Sequence, residues 1–353
     1  MLDSSNPKTY HKLGTLQGVE VSSKKRPVVC IQGLGFVGSA MAVAVAMAKD
    51  NNGEPFFNVI GVDLPNLMGN NRVKLINGGN FPIQNNDVLL SECFQKVYAQ
   101  GNIFATTDET CFSIANIALV DINLDVENLS QDKASVNWAN FKKAISCLGK
   151  YLQPNSLIIV ETTVPPGTTK KIVVPAIEQE LSQRKLPIDS IHVAHSYERV
   201  MPGENYLSSI INYWRVYSGH TEVAADLCEN FLSKIINIQD YPLWRLKSTI
   251  DSEAAKILEN TYRAVNIAFI AEWGKYAEKR GIELFNIIKA IRCRPTHSNI
   301  MQPGFGVGGY CLPKDPAFIS ISSRDLYKDD ELRMPVTELA LQINRHMPNN
   351  SVI

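Results

Sequence analysis

The sequence predicts an α/β protein: an N-terminal Rossmann-type, doubly wound parallel sheet, followed by a central helical domain built on one long helix. Three observations carry this. From residue 27 to about 238, short apolar runs alternate with helix-like stretches, the pattern of a parallel sheet with crossover helices. A glycine-rich turn, Gly33-Leu34-Gly35-Phe36-Val37-Gly38, directly follows the first run. Residues 251–280 then hold no Gly or Pro before Gly274, and their apolar residues recur at helical spacing.

Composition bounds the function before any motif does. A chain of 353 residues is long for one core and comfortable for two domains. Lys plus Arg and Asp plus Glu are both 35, so no net field draws the chain to nucleic acid or an anionic membrane surface. The longest apolar stretch, 40–48, is too short to span a bilayer, and the N-terminus lacks the apolar segment of a signal peptide. Seven cysteines, an odd number with no CxxC pair, argue against a disulfide framework or a zinc site and for a reducing compartment. The expectation is a cytoplasmic protein without a metal.

The elements follow in order. Residues 1–26 read as a polar extension. Strands are expected at 28–31, 59–62, 117–120, 157–160 and 192–195, giving a dinucleotide domain over 27–240. The central helical domain covers 241–330, and 331–353 reads as a linker. The long helix at 251–280 has Asp251 or Ser252 to cap its start and Gly281 to end it. At ~1.5 Å per residue it is roughly 45 Å long, more than one small domain buries. Its apolar positions Val265, Phe269, Trp273 and Tyr276 therefore point to a homodimer interface. A second helix is expected at about 283–292.

The glycine turn lies between an apolar strand and a helix of small residues, the context that a dinucleotide fingerprint requires. Gly33 permits the tight turn, Gly35 lets a pyrophosphate approach the backbone, and Gly38 allows the helix to pack closely. Phe36 and Val37 open that helix, whose N-terminus faces the negative charge. The next strand ends in Asp63, an acid placed to accept from both ribose hydroxyls and to repel a 2′-phosphate, which favours NAD over NADP. Arg72 could attract such a phosphate, but its ordinary reading is a surface residue.

Three further segments are unusual as core sequence. Glu161-Thr162-Thr163-Val164-Pro165-Pro166-Gly167 and Tyr197-Glu198-Arg199-Val200-Met201-Pro202-Gly203 each follow a strand, where sheets of this kind present ligands. A rigid turn would account for the prolines without any function. The third segment, 303–316, places glycines next to Cys311, with Asp315 four residues on. Alone, such a cysteine is more often packing than nucleophile; the glycine loop shifts the balance toward a nucleophile. Lys256 and Asn260 share one face of the long helix, as a polar stripe or as part of a site.

Taken in order, ETTVPPGTT, ERVMPGENYL, EAAKILENTYRAVNIAF and GFGVGGYCLPKDP resemble the UDP-glucose/GDP-mannose dehydrogenase family over residues 28 to 348. The resemblance implies an NAD-dependent oxidation of a nucleotide sugar's C6 alcohol to a carboxylate, through a thiohemiacetal and a thioester on Cys311, in polysaccharide biosynthesis. It makes Asp315 and Glu198 water-activating carboxylates, Thr163 a water-positioning residue near the nicotinamide, and Lys256 and Asn260 oxyanion-stabilising groups. It also implies a homodimer through the long helix. The ERVMPG form points to a UDP-N-acetylhexosamine.

The sequence departs from the family pattern in three places. Members usually carry a Val-Pro-Thr-Pro turn after the 117–120 strand, where this chain has Asp121-Ile122-Asn123-Leu124-Asp125, adding negative charge where cofactor phosphates pass. Tyr197 stands where a proline is common. The family's third domain, which clamps the nucleotide, would begin about where this sequence ends. A catalytically weak, NAD-binding relative with a regulatory or assembly role is the alternative reading. A β-hydroxyacid dehydrogenase of similar fold would account for Lys256 but leaves Cys311 without a role.

Overall fold

A computed structural model describes residues 26–128, 134–201 and 203–348, which divide into two units. Of the expected extension at 1–26 only Arg26 is described; residues 1–25, Pro202 and 349–353 lie outside the described residues. The first unit comprises the chain up to Leu124, residues 138–162 and residues 167–252; the second comprises 125–137, 163–166 and the chain from Glu253 on.

The first unit is an eight-stranded sheet. Its strands are β1 (Val28–Gln32), β2 (Asn58–Val62), β3 (Ile103–Thr106), β4 (Ile117–Val120), β7 (Leu157–Val160), β8 (His192–His195), β9 (Val216–Gly219) and β10 (Trp244–Arg245). A two-residue pair, β5 (Val126–Glu127) and β6 (Ser135–Val136), belongs to the second unit. The sheet order is β10-β9-β8-β7-β4-β1-β2-β3. All five strands read from the sequence are present; β3, β9 and β10 escaped that reading because their runs are short and mixed. The sheet is otherwise parallel, but β9 runs antiparallel to β8.

The chain winds outward from β1 through β2 to β3, then returns to β4 on the other side of β1. The direction of winding therefore reverses between β1 and β4, and their C-terminal ends form the crevice where such sheets bind ligands. β1 is buried throughout, as is the stretch 38–46 of the following helix, α1 (Phe36–Met47). Alanine at every second position from Ala40 to Ala46 keeps that stretch slim, so the helix lies close on the sheet.

The remaining helices of this unit are α2 (Leu67–Asn77), α3 (Val88–Gln100), α4 (Trp138–Tyr151), α5 (Val174–Gln183), α6 (Ser208–Ile211) and α7 (Glu222–Leu232). Asp87 caps α3 by accepting from the Leu90 N–H at 3.0 Å, and its other oxygen accepts from the Leu207 N–H at 2.8 Å. One short acid thus fixes both a helix start and the segment that follows the 197–205 loop.

The second unit is built on α8 (Thr249–Arg280), with α9 (Leu284–Arg292), α10 (Phe318–Ile321) and α11 (Pro335–His346). Its start differs from expectation. Ser248, rather than Asp251 or Ser252, accepts from the Asp251 N–H at 3.3 Å, so the helix begins earlier. Ser252 instead bonds His195 Nδ1 at 2.7 Å and Ser218 at 2.6 Å within the first unit. Gly281, at φ +67°, ends the helix as expected. The first unit thus runs on through the first residues of α8 to Ser252. The segment read as a linker contains α11, tied to α8 by Asn344 Nδ2 donating to the Ala264 carbonyl at 2.9 Å. Its amphipathic pattern was short enough to pass for loop.

Within α8 the buried apolar residues are Ile257, Ala264, Ala268, Ile270, Ala271 and Ala277. Leu258 and the aromatic residues face out: Leu258 is 70% exposed, Tyr262 52%, Phe269 49%, Trp273 48% and Tyr276 53%. The apolar positions of α8 thus divide between two faces, one that packs within the unit and an aromatic one that does not.

Candidate active site

The glycine turn occupies the end of β1 at the switch point. Gly33 sits at φ +100°, and its N–H donates to the Val62 carbonyl at 2.8 Å, joining the turn to β2. A Cβ on Gly33 would lie 2.6 Å from the Asp121 carbonyl oxygen, and one on Gly38 would lie 1.9 Å from the Gly33 carbonyl oxygen. Neither has room for a side chain. Gly35 is different: nothing lies within 4 Å of where its Cβ would stand. It is also the N-cap of α1, with no side chain satisfying the first amides and no acid in the first turn. An open backbone face beside the uncapped amides of a twelve-residue helix fits a pyrophosphate. Phe36 is half exposed, and its carbonyl accepts from the Tyr206 hydroxyl, which anchors the start of α1 to the 197–207 segment.

Asp63 lies at the end of β2, as expected, but Arg72 is not a bystander on the surface. Its Nη1 is 3.1 Å from Asp63 Oδ2, while Oδ1 accepts from the Leu64 N–H at 2.8 Å. The pair places a cation on the acid that would face the ribose.

Below the turn lies a buried charge cluster that sequence reasoning missed. Arg215, entering β9, forms an ion pair with Glu161 at the end of β7; their side chains are 3% and 0% exposed. Asp121 follows β4 and Glu198 follows β8, each 9% exposed. Burial, then the Glu161 charge, pushes the Asp121 carboxyl well above the usual carboxylate range, with Arg215 acting against the shift. The signal was available: Arg215 is a lone charge amid Tyr213-Trp214 and Val216-Tyr217, where an unpaired arginine could not be buried.

The second unit holds a different constellation. Asp315 is fully buried. Asn260 Nδ2 donates to its Oδ2 at 2.7 Å, and Lys314 Nζ lies 2.9 Å from its Oδ1. The Asp315 N–H donates to the Cys311 carbonyl at 2.9 Å, so the carboxylate and the cysteine share one turn. Lys256 lies one turn before Asn260 on α8 and is 7% exposed. Thr163 is half-buried in the same unit. Lys314 was overlooked in the sequence, although a lysine directly before a buried aspartate is a natural counter-charge; its Nζ also lies 4.5 Å from the Tyr310 ring centre. Asp125 accepts from the Tyr310 hydroxyl, so the second of the two unexpected acids serves the Cys311 loop.

Of the seven cysteines, only Cys293 and Cys311 are exposed. Burial raises the Cys93, Cys111, Cys147 and Cys228 thiols above their ordinary value and keeps them protonated. Cys311 alone combines exposure with a neighbouring buried carboxylate–amide–lysine cluster. Among the described residues no group of His, Cys, Asp and Glu could hold a metal, and no helix is long and apolar enough to cross a membrane.

A doubly wound sheet with an open glycine turn at its switch point, joined in one chain to a helical unit bearing an exposed cysteine, defines a dinucleotide-binding scaffold. Residues 27–236 match the NAD binding domain of the UDP-glucose/GDP-mannose dehydrogenase family, and residues 251–346 match its central domain. The chain belongs to that family, and NAD is its cofactor.

A UDP-N-acetyl-D-mannosamine dehydrogenase of Methanocaldococcus jannaschii is 32% identical over 84% of this chain and 62% of its own length. One of Campylobacter jejuni is 28% identical over 91% of this chain and 72% of its own. The chain thus spans about three fifths of the first of these relatives. The solved structure of a UDP-D-ManNAc dehydrogenase from Pyrococcus horikoshii superposes with a TM-score of 0.76 at 24% identity, over 92% of this chain and 69% of that one. An NDP-N-acetyl-D-galactosaminuronic acid dehydrogenase from Methanosarcina mazei Go1 gives 0.75 at 25%, over 96% and 69%.

The glycine geometry separates folding from binding. Gly38→Ala forces an overlap with backbone and should cost at least about 1–3 kcal/mol, seen as a lowered Tm. Gly35→Ala should cost no more than about 1 kcal/mol as an N-cap change, yet weaken NAD at least about tenfold, or 1.4 kcal/mol. Thermal melts and NAD titrations of both variants check this; a Gly38→Ala protein as stable as the parent would contradict the packing.

Proposed function

We propose that this chain oxidises the C6 alcohol of a UDP-N-acetylhexosamine to the carboxylate, with Cys311 as the covalent nucleophile. The observation that carries the reading is the fully buried Asp315, held between Asn260 and Lys314 and hydrogen-bonded through its backbone to Cys311. The names of relatives acting on N-acetyl sugars, and the ERVMPG segment, support the choice of substrate.

NAD supplies a two-electron hydride acceptor for each of two oxidations. The protein's own groups do the rest. In the first oxidation the C6 hydroxyl proton passes to a water held by Thr163, Lys256 and Asp315, leaving an aldehyde. The Cys311 thiolate then forms a bond to the aldehyde carbon, whose π pair moves to oxygen and takes a proton, giving a thiohemiacetal. Loss of the remaining C6 hydride and the hydroxyl proton leaves a thioester. Water activated by Asp315 or Glu198 adds to it, the carbon–sulfur bond breaks, and the thiolate departs from the carboxylate product. Lys256 and Asn260, one helical turn apart, stabilise the oxyanion of each addition, a contribution of about 3–4 kcal/mol per donor in comparable sites.

Replacing the nucleophile tests this route. Cys311→Ser should lower complete oxidation by at least about a thousandfold, as loss of a covalent nucleophile does, while NAD binding stays unchanged. Two NADH per sugar at the parent rate from that variant would exclude the covalent path. A nucleotide-sugar panel decides the substrate: faster turnover of UDP-glucose than of any N-acetyl analogue would overturn the choice.

The outward aromatic face of α8 supports a homodimer. Trp273 and Tyr276 meet edge to face at 5.9 Å, and Phe285 and Ile287 on α9 add further exposed apolar surface. Water contact over so many large apolar side chains is unfavourable, and pairing two copies removes it. Light scattering at micromolar concentration should give about twice the 39.2 kDa chain mass; a mass equal to one chain would contradict the dimer.

A further inference from the structure

Asp121 is the acid closest to the cofactor turn and the least expected there. A Cβ on Gly38 would lie 3.1 Å from Asp121 Cβ, and its N–H donates to the Gln32 carbonyl at 2.8 Å, so the side chain lies directly beneath the glycines. Both of its carboxyl oxygens are buried, and the side chain they face for hydrogen bonding is the Glu161 carboxyl, which can accept from Asp121 only while Asp121 keeps its proton. A buried carboxylate facing a second carboxylate costs far more than a buried neutral acid.

The charges facing Asp121 make ionisation worse. Glu161 comes from the end of β7 and Glu198 from the segment after β8, both negative when ionised. The cation facing them, Arg215 just before β9, is committed to Glu161 through Nη2, the same nitrogen that lies 4.0 Å from the Met41 sulfur of α1. β1 contributes only the neutral Gln32, whose amide donates to the Ala144 carbonyl at 2.9 Å. With all three carboxyls ionised, one guanidinium would leave two uncompensated negative charges in a buried space.

We propose that Asp121 is an affinity-setting residue of the cofactor site, uncharged when NAD is bound, and that its ionisation limits NAD binding as the pH rises. The negative pyrophosphate at the turn adds to the field of Glu161 and Glu198, so the bound state favours the neutral acid more strongly than the free state does. NAD binding on the alkaline side must then take up a proton. The sign for folding is the same. A carboxyl whose folded value is raised contributes stability that is present at low pH and is lost as the pH rises through that value.

NAD titrations of the complete chain between pH 6 and 9 test this, with Asp121→Asn as the uncharged counterpart. One linked proton allows up to about tenfold per pH unit, and the parent's dissociation constant should rise at least about tenfold more across the range than the variant's. Parallel pH profiles for the two proteins would overturn the proposal. Calorimetry of NAD binding to the parent, in two buffers of different ionisation heat, needs no variant: proton uptake at the alkaline end is expected, and its absence across the range overturns the proposal even if Asp121→Asn does not fold.

Discussion

The first unit depends on one close approach: the backbone leaving β4 at Asp121 lies against Gly33, where a Cβ would stand 2.6 Å from a carbonyl oxygen. Because β1 and β4 are neighbours at the point where the winding reverses, their exits cannot diverge without opening the sheet. The turn at Gly33 and the close seating of α1 at Gly38 follow from that contact, and so does the position of the uncapped amides at Gly35. The same contact puts the Asp121 side chain under the cofactor turn. A fold that needs β4 close to the glycines therefore gives the residue after β4 direct influence on whatever anion the turn holds.

Electrostatics are handled differently in the two units. Below the glycine turn, three carboxyls share one arginine, and burial raises the Asp121 value. Around Asp315, by contrast, a lysine and an amide together satisfy one fully buried carboxylate. The second arrangement keeps a negative charge stable next to Cys311; the first resists a second negative charge next to the pyrophosphate. Both are specified by single residues: Lys314 and Asn260 in one case, the lone Arg215 in the other.

The parallel strands β1, β4 and β7 were legible in the sequence as short apolar runs, and β2 and β8 as apolar pairs set between turn or polar residues. The glycine turn was legible because its three glycines answer to backbone sterics that leave no alternative. The long helix was legible from its lack of breakers, but its two faces were not, since spacing alone cannot say which of Ile257 and Leu258 meets a neighbour. The partners in the Asp63–Arg72 and Glu161–Arg215 pairs are set by loops and by strands distant in sequence, so Arg215 could be seen to need a partner but Glu161 could not be named as that partner. Asp121 was visible as an oddity in the sequence; only the folded register shows that it is buried and Asp125 is not.

The central claim is that Cys311, beside the buried Asp315, carries the sugar as a covalent thioester between two oxidations. The direct measurement is peptide mass spectrometry after rapid acid quenching of the parent chain turning over a UDP-N-acetylhexosamine with NAD, since a thioester survives acid. The account expects the peptide containing Cys311 to gain the mass of the oxidised nucleotide sugar during turnover and to lose it when substrate is exhausted. Sustained turnover with that peptide unmodified at every time point would contradict it.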